Sequence, residues 1–387
     1  MNKNDKTVRI VAVTILLTAA MTFMAASAFY AFVLKARSTA AFPGSQKIYE
    51  VLTLLDREYY YGVDKEQLID TALDTMISSL GDPYSVYMDP EEYRAFYGYL
   101  SGTYAGVGAV VSWDWEENAV VIVKPFDGSP AQKAGLVKGD KVVKIDGLSL
   151  EGTDLDGAVA KMKGEAGTSV TLTVLKADGG EPAEVPVIRE EVHIPTVESE
   201  LRGDIGYIAI SMFDPATGDD FGEHLQAMTD GGAKGILLDL RDNGGGLVPS
   251  VTAVADYLLD AGEVIFYTQD KDGKRADYTA DGGGIDLPLA VLVNENTASA
   301  AELLAGTLRD NKNAPLVGKT TFGKGVVQST YPLSDGSVVK LTIEKYFTPN
   351  GNDINTVGLK PDYEVEPQPE ADEQYQRAAA LLEEQLR

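Results

Sequence analysis

Between Ile205 and Val293, short apolar runs alternate with helical stretches, and this alternation limits the fold more than any other feature of the chain. Ile205–Ile210, Gly235–Leu240 and Leu287–Val293 have strand length and are too short for helices. The intervening segments, around Asp219–Thr229 and Val248–Leu259, carry helical spacing. Strand and helix in turn predict an α/β core. Residues 337–347 return to strand, and 371–387 read as an amphipathic helix with Ala378, Leu381, Leu382 and Leu386 on one side.

The chain before this core has a different texture. Residues 45–100 read as helical: Ile48, Val51, Leu52 and Leu55 recur at helical spacing, as do Leu68, Ala72, Met76 and Leu80, with Gly81-Asp82-Pro83 as a stop. From about Tyr104 the runs become short and β-rich (Val107–Ser112, Ala119–Val123, Lys141–Ile145, Val170–Leu175), with one helical segment near Leu155–Met162. The charged stretch Glu198–Asp204 reads as a linker. The expected divisions are a helical region at 43–102, a β-rich domain at 103–192, a core at 193–366 and a terminal helix at 367–387. Ile10 to Leu34 is a run of 25 residues without a charge, flanked by Lys and Arg, long enough to cross a bilayer. It is expected to anchor the protein in the cell membrane as a single span, with residues 1–9 cytoplasmic and everything after residue 40 outside the cytoplasm. The alternative is a signal peptide cleaved at Ala26-Ser27-Ala28, which releases a secreted protein.

Beyond residue 37 the chain carries 28 basic against 58 acidic side chains, a net charge of −30. Such a surface repels a phosphate backbone, so nucleic acid is not an expected partner. There is no cysteine, and the two histidines, His193 and His224, are isolated, so no metal-ligand cluster is visible and no cofactor is expected. Neither histidine stands in a triad-like setting.

Scarce imidazole and absent thiol turn attention to Ser299, in Asn294-Glu295-Asn296-Thr297-Ala298-Ser299-Ala300-Ala301-Glu302, and to Lys324, in Phe322-Gly323-Lys324-Gly325. Ser299 follows an apolar strand and opens a helix, where the next N–H and the positive helix end suit a developing oxyanion. Ser299-x-x-Glu302 also spells a capping box, and a serine there can be only a cap. Lys324 tips the balance. The run Phe322 to Tyr331 reads as a strand, on which Lys324, Val326 and Gln328 share a face. Burial disfavours the charged amine, so a sheltered Lys324 can serve as a base, with the Gln328 amide holding it in position. Asp239-Leu240-Arg241-Asp242-Asn243-Gly244-Gly245-Gly246 follows a strand and reads as an anion-accepting loop or a flexible turn. Gly318-Lys319-Thr320 ends like a nucleotide-binding loop, but Asn313 stands at the required first glycine and a strand follows.

Leu240-Arg241-x-Asn243-x-Gly245-Gly246, Thr297-Ala298-Ser299-Ala300-Ala301-Glu302 and Phe322-Gly323-Lys324-Gly325-x-x-Gln328 together resemble the carboxyl-terminal processing (tail-specific) proteases. Leu80-Gly81-Asp82-Pro83-Tyr84-Ser85, Tyr346-Phe347-Thr348-Pro349 and Gly358-Leu359-Lys360-Pro361-Asp362 extend the match over most of the chain. The resemblance implies a serine endopeptidase with Ser299 as nucleophile, Lys324 as general base, Gln328 as its orienting partner, and the N–H groups of Ala300 and Gly245 as oxyanion donors. Ser129-Pro130-Ala131-x-x-Ala134-Gly135-Leu136-x-x-Gly139-Asp140 places 103–192 close to the PDZ domains, which capture free C-termini. Gly106, Val107 and Gly108 are then the expected carboxylate loop, with Val159 and Met162 walling the groove or lying in the core. The implied architecture is a mixed α/β (α+β) protease core with an inserted PDZ domain, an N-terminal helical segment and one transmembrane helix. Implied partners are protein tails, the membrane, a second copy in a homodimer, and a regulatory protein. From another class, the rival expectation is a non-catalytic PDZ receptor on a protease-like scaffold.

Overall fold

The computed structural model describes residues 44–368 and 371–386. The apolar stretch Ile10–Leu34 lies outside the described residues, and among those described no helix is long and apolar enough to cross a membrane. The described residues divide into two compact units, with the boundary between Thr75 and Met76. In the first, Ser45–Glu58 is helical and a second helix starts at Lys65, where the Asp64 carboxylate accepts the N–H groups of Glu66 and Gln67. Neither helix has a fully buried residue; Ile48, Val51 and Leu54 are exposed.

In the second unit the core is a six-stranded sheet. Its order is Val197–Arg202, Ile205–Ile210, Gly235–Asp239, Leu289–Val293, Leu316–Gly318, Tyr363–Glu364. The first pair is an antiparallel hairpin and every later pair is parallel. All residues of Gly235–Asp239 and Leu289–Val293 are buried, because helices cover both faces of the sheet; this is why those strands lack polar alternation. Ile236, Leu238, Val291 and Val293 pack with residues of the helices Thr217–Asp230, Val248–Leu258 and Ala300–Lys312. On the opposite face Leu237, Ala290 and Leu292 meet Ala378, Leu381 and Leu382 of the tail helix Glu373–Gln385. The stretch read as a linker, 198–204, is instead the edge hairpin of this sheet, its charged side chains facing water.

A second sheet is built from distant pieces: Val86–Met88, Val338–Phe347, Val264–Asp270 and Arg275–Thr279, with Val326–Pro332 also paired to Val338–Phe347. The PDZ-like body is a further six-stranded sheet closed over its own core of Val120, Ile122, Val142, Leu172 and neighbours. It joins the rest through a two-stranded antiparallel neck, Thr103–Gly106 against Glu190–His193, with Thr103 opposite His193.

Candidate active site

The strand Leu289–Val293 ends in a turn fastened to the glycine loop. The Thr297 hydroxyl donates to the Leu240 carbonyl at 2.7 Å, and the Ala298 N–H donates to the Asn243 carbonyl at 2.9 Å. Ser299 follows with φ 55° and ψ −118°, a conformation that side-chain-bearing residues rarely adopt. The helix Ala300–Lys312 begins immediately after it. Its third residue is Glu302, completely buried, whose carboxylate takes four donors. One oxygen accepts the Thr321 hydroxyl and the Gly323 N–H (2.8 Å); the other accepts the Ser299 N–H (2.8 Å) and the Lys324 N–H (2.9 Å). A buried carboxylate is tolerable when its lone pairs are filled in this way. The result is that one side chain ties the backbone of Ser299 to that of Lys324. The sequence shows Glu302 as half of a capping box; its reach to a loop 22 residues ahead is what that reading lacks.

Lys324 does not lie on a strand. The ladder begins at Val326, and the N–H groups before it are taken by side chains: Gly323 and Lys324 by Glu302, and Gly325 by Asn355. The face-sharing expectation for Lys324, Val326 and Gln328 therefore falls, since alternation holds only within a strand. The Gln328 amide donates to the Val326 carbonyl at 3.0 Å rather than to the lysine. The Lys324 amine stands 5.0 Å from the centre of the Tyr84 ring. Burial pulls its pKa below the ordinary lysine value, and the Lys340 ammonium adds to this; Glu302 and Asp82 oppose it. Burial works against the Asp82 carboxylate too, but the Ser85 hydroxyl (2.6 Å) and the Tyr84 N–H (3.0 Å) keep it below the usual carboxylate range. Thus the Asp82–Ser85 turn, legible in the sequence only as a helix stop and a shared motif, reaches the lysine.

Ser299, Lys324, Gln328 and Gly244–Gly246 line one cleft of 580 Å³. Tyr346, 1% exposed, sits at its floor. Burial raises its ionisation well above the usual phenol range, so it is a neutral phenol, hydrogen-bonded to the Ser299 side chain and to the Lys324 carbonyl. A carbonyl can only accept, so the single phenolic proton goes to it, and the Ser299 hydroxyl must donate to Tyr346. Among the described residues no hydrogen bond joins the Ser299 hydroxyl to the Lys324 amine, although both line the cleft.

Gly245 has φ +103° and abuts Ser299: a Cβ on it would lie 2.9 Å from Ser299 Cβ and 3.1 Å from the Ala300 nitrogen. Its N–H, expected as an oxyanion donor, is bonded to Asn243 Oδ1 at 2.8 Å. Ala300 N–H opens the helix beside it. Neither histidine lines the cleft: His193 bonds Asp214, and His224 Nδ1 meets Ser199 Oγ. In the PDZ-like body the Val107 and Gly108 carbonyls hold Ala131 and Phe126, and the Tyr104 hydroxyl takes the backbone N–H groups of Gly108 and Ala109. The Tyr104 ring lies on Gly106, with the Lys163 amine 5.0 Å from its centre. Met162 belongs to the domain core, while Val159 is half-buried. Among the described residues no cluster of His, Asp or Glu is arranged to hold a metal ion.

The sequence model of Peptidase family S41 matches residues 204–365, that of a PDZ domain 121–176, and that of the activating protease CtpB N-terminal domain 21–92. The chain is 37% identical over 322 residues to the carboxy-terminal processing protease CtpA of Bacillus subtilis (strain 168), covering 83% of this chain and 68% of that one. It belongs to peptidase family S41. CtpB of the same organism is 36% identical, with 81% and 66% covered, so the chain spans about two thirds of the length of these two relatives. The carboxyl-terminal-processing protease of Synechocystis sp. (strain ATCC 27184 / PCC 6803 / Kazusa) is 38% identical over 327 residues, 81% of this chain and 76% of the other. Among solved structures, a photosystem II D1 C-terminal processing protease matches with TM-score 0.51 and 32% identity over 84% of this chain and 88% of that one. A putative S41 protease from Bacteroides fragilis NCTC 9343, 17% identical, shares the fold with TM-score 0.54 over 87% and 96% of the two chains. The chain is thus a serine peptidase of family S41 that carries a PDZ domain.

Proposed function

We propose that this peptidase cleaves proteins near their C-termini through an acyl-enzyme on Ser299, with Lys324 as general base. The Ser299 hydroxyl leaves Tyr346 for the neutral Lys324 amine, which takes its proton as Oγ attacks the scissile carbonyl. The Ala300 N–H at the helix start, and the Gly245 N–H once it turns from Asn243, receive the developing oxyanion. Lys324 then returns the proton to the leaving amine, and water releases the acyl group by the same base. Gln328, once it leaves the Val326 carbonyl, orients the amine.

The Gly106–Gly108 loop receives the substrate's terminal carboxylate, which displaces the Tyr104 hydroxyl from the N–H groups it now occupies. Attachment to the cell membrane through Ile10–Leu34, with catalysis outside the cytoplasm, belongs to the same proposal, as do a homodimer and control by a regulatory protein. No cofactor is assigned a step.

The observation that carries this reading is Glu302, which holds the backbones of a strained serine and a pKa-lowered lysine on one carboxylate at the edge of a cleft. Digestion of casein by the full chain tests it. Ser299→Ala and Lys324→Ala should each abolish cleavage, and Lys324→Arg should be nearly as damaging because a guanidinium keeps its proton. Equal activity in all four proteins would leave a PDZ receptor as the better account.

A further inference from the structure

The root of the neck meets the core at one carboxylate. Asp214 is fully buried, and one of its oxygens accepts the Ala216 N–H (2.9 Å), the Thr217 N–H (3.0 Å) and the Thr217 hydroxyl (2.9 Å). The other oxygen lies 2.6 Å from His193 Nε2, on the neck strand that returns from the PDZ domain. The outgoing side is gripped as well. Gly102, at φ +63°, lies so close that a Cβ would stand 2.0 Å from the same oxygen, and its carbonyl accepts the Ile194 N–H at 2.8 Å. Asp214 therefore touches both passages of the chain between core and domain.

The residue before it faces the chemistry. The Phe213 N–H donates to the Gly245 carbonyl at 3.0 Å, and its own carbonyl accepts the Leu247 N–H at 2.7 Å. Gly246 is pressed on that backbone so tightly that a Cβ would stand 2.1 Å from the Phe213 oxygen. The Asp214 carbonyl accepts the Ser250 hydroxyl at the start of the next helix. Two consecutive residues thus hold the PDZ neck by a side chain and the glycine loop by their backbone, and that loop abuts Ser299.

We propose that the His193–Asp214 contact is a positioning contact for the glycine loop: by fixing the Phe213–Asp214 segment it fixes the Gly245 peptide against the nucleophile. The proposal rests on the assignment of Ser299 and Lys324 as the catalytic pair for its kinetic consequence, though not for the contact itself. A buried carboxylate facing a half-exposed imidazole is a costly way to join two elements, and an apolar contact would hold them equally well. What the polar pair adds is direction. It sets the height and rotation of a backbone segment whose next bonds run to Gly245 and Leu247.

The test compares the full chain with His193→Ala and His193→Gln, the latter placing a neutral amide N–H where Nε2 stands. The substrate is a peptide too short to span cleft and PDZ groove together. His193→Ala should lower kcat by about tenfold with KM within about twofold. Hydrogen exchange should accelerate in peptides covering 243–250 while those from 301–312 stay as in the wild type. His193→Gln should recover most of both. Wild-type kcat and wild-type exchange in His193→Ala would overturn the proposal, as would faster exchange spread evenly over the core. If the wild type itself cleaves nothing, the assignment of Ser299 and Lys324 fails, and the exchange comparison still decides the contact.

Discussion

As the proposed base, Lys324 must lose its proton near the operating pH, so the charges around it should tune the rate. Activity should rise with pH as the amine becomes neutral, along a limb whose midpoint lies below the ordinary lysine value of about 10.4. The sign of each neighbour is fixed by its charge. Lys340 disfavours the ammonium, so Lys340→Met should move the limb to higher pH; Asp82 favours it, so Asp82→Asn should move the limb to lower pH. Profiles of kcat/KM against pH for the three proteins check this, and a shift in the same direction for both variants would refute it. At this scale the sequence singled out Ser299 and Lys324 because few other groups could serve, and the structure sets both in one cleft. The sequence did not expose the positive φ of Ser299, the Tyr84 ring beneath the amine or Tyr346 beneath the hydroxyl. The two ring contacts join segments far apart in the chain, for which no local pattern exists.

Elements tell the same story one level up. The fully buried strands Gly235–Asp239 and Leu289–Val293 announce themselves as unbroken apolar runs, and the helices between them by their spacing. The second sheet was only partly legible: Arg275–Thr279 is exposed throughout, and Val264–Asp270 pairs with a strand some 75 residues further on. The Val326–Pro332 strand starts later than the apolar run from Phe322 suggests, because side chains rather than a ladder satisfy the preceding N–H groups. That loop is held by close backbone approach as well. A Cβ on Gly325 would stand 2.5 Å from the Asn355 nitrogen, so Gly325→Ala must push the Lys324 loop or the Asn355 turn aside. A displacement of that size should cost about a hundredfold in kcat, with little change in thermal unfolding. Unaltered kcat in a folded Gly325→Ala protein would show that the loop position does not matter.

For the molecule as a whole, the tail helix Glu373–Gln385 completes the core. Its Leu381 and Leu382 cover one face of the sheet, and Arg241, from the end of a core strand, binds Asp239 and Asp372 at once, fastening the helix start. Leu382→Ala should destabilise the protein by about 2–5 kcal/mol, read as a lower denaturation midpoint. A loss well under 1 kcal/mol would mean that the helix is an accessory rather than part of the core. The expected helix at the C-terminus was legible from four apolar residues; its fastening to Arg241 was not, because that arginine lies over a hundred residues away in the run that leads into the glycine loop.

The neck has a consequence for how such a protein can change. Its two strands leave and re-enter side by side, Thr103 across from His193, so the chain rejoins the core at one spot whatever happens between those residues. Recognition is therefore a cartridge, exchangeable without disturbing the bond-breaking machinery, provided the newcomer ends in a strand pair of matching register.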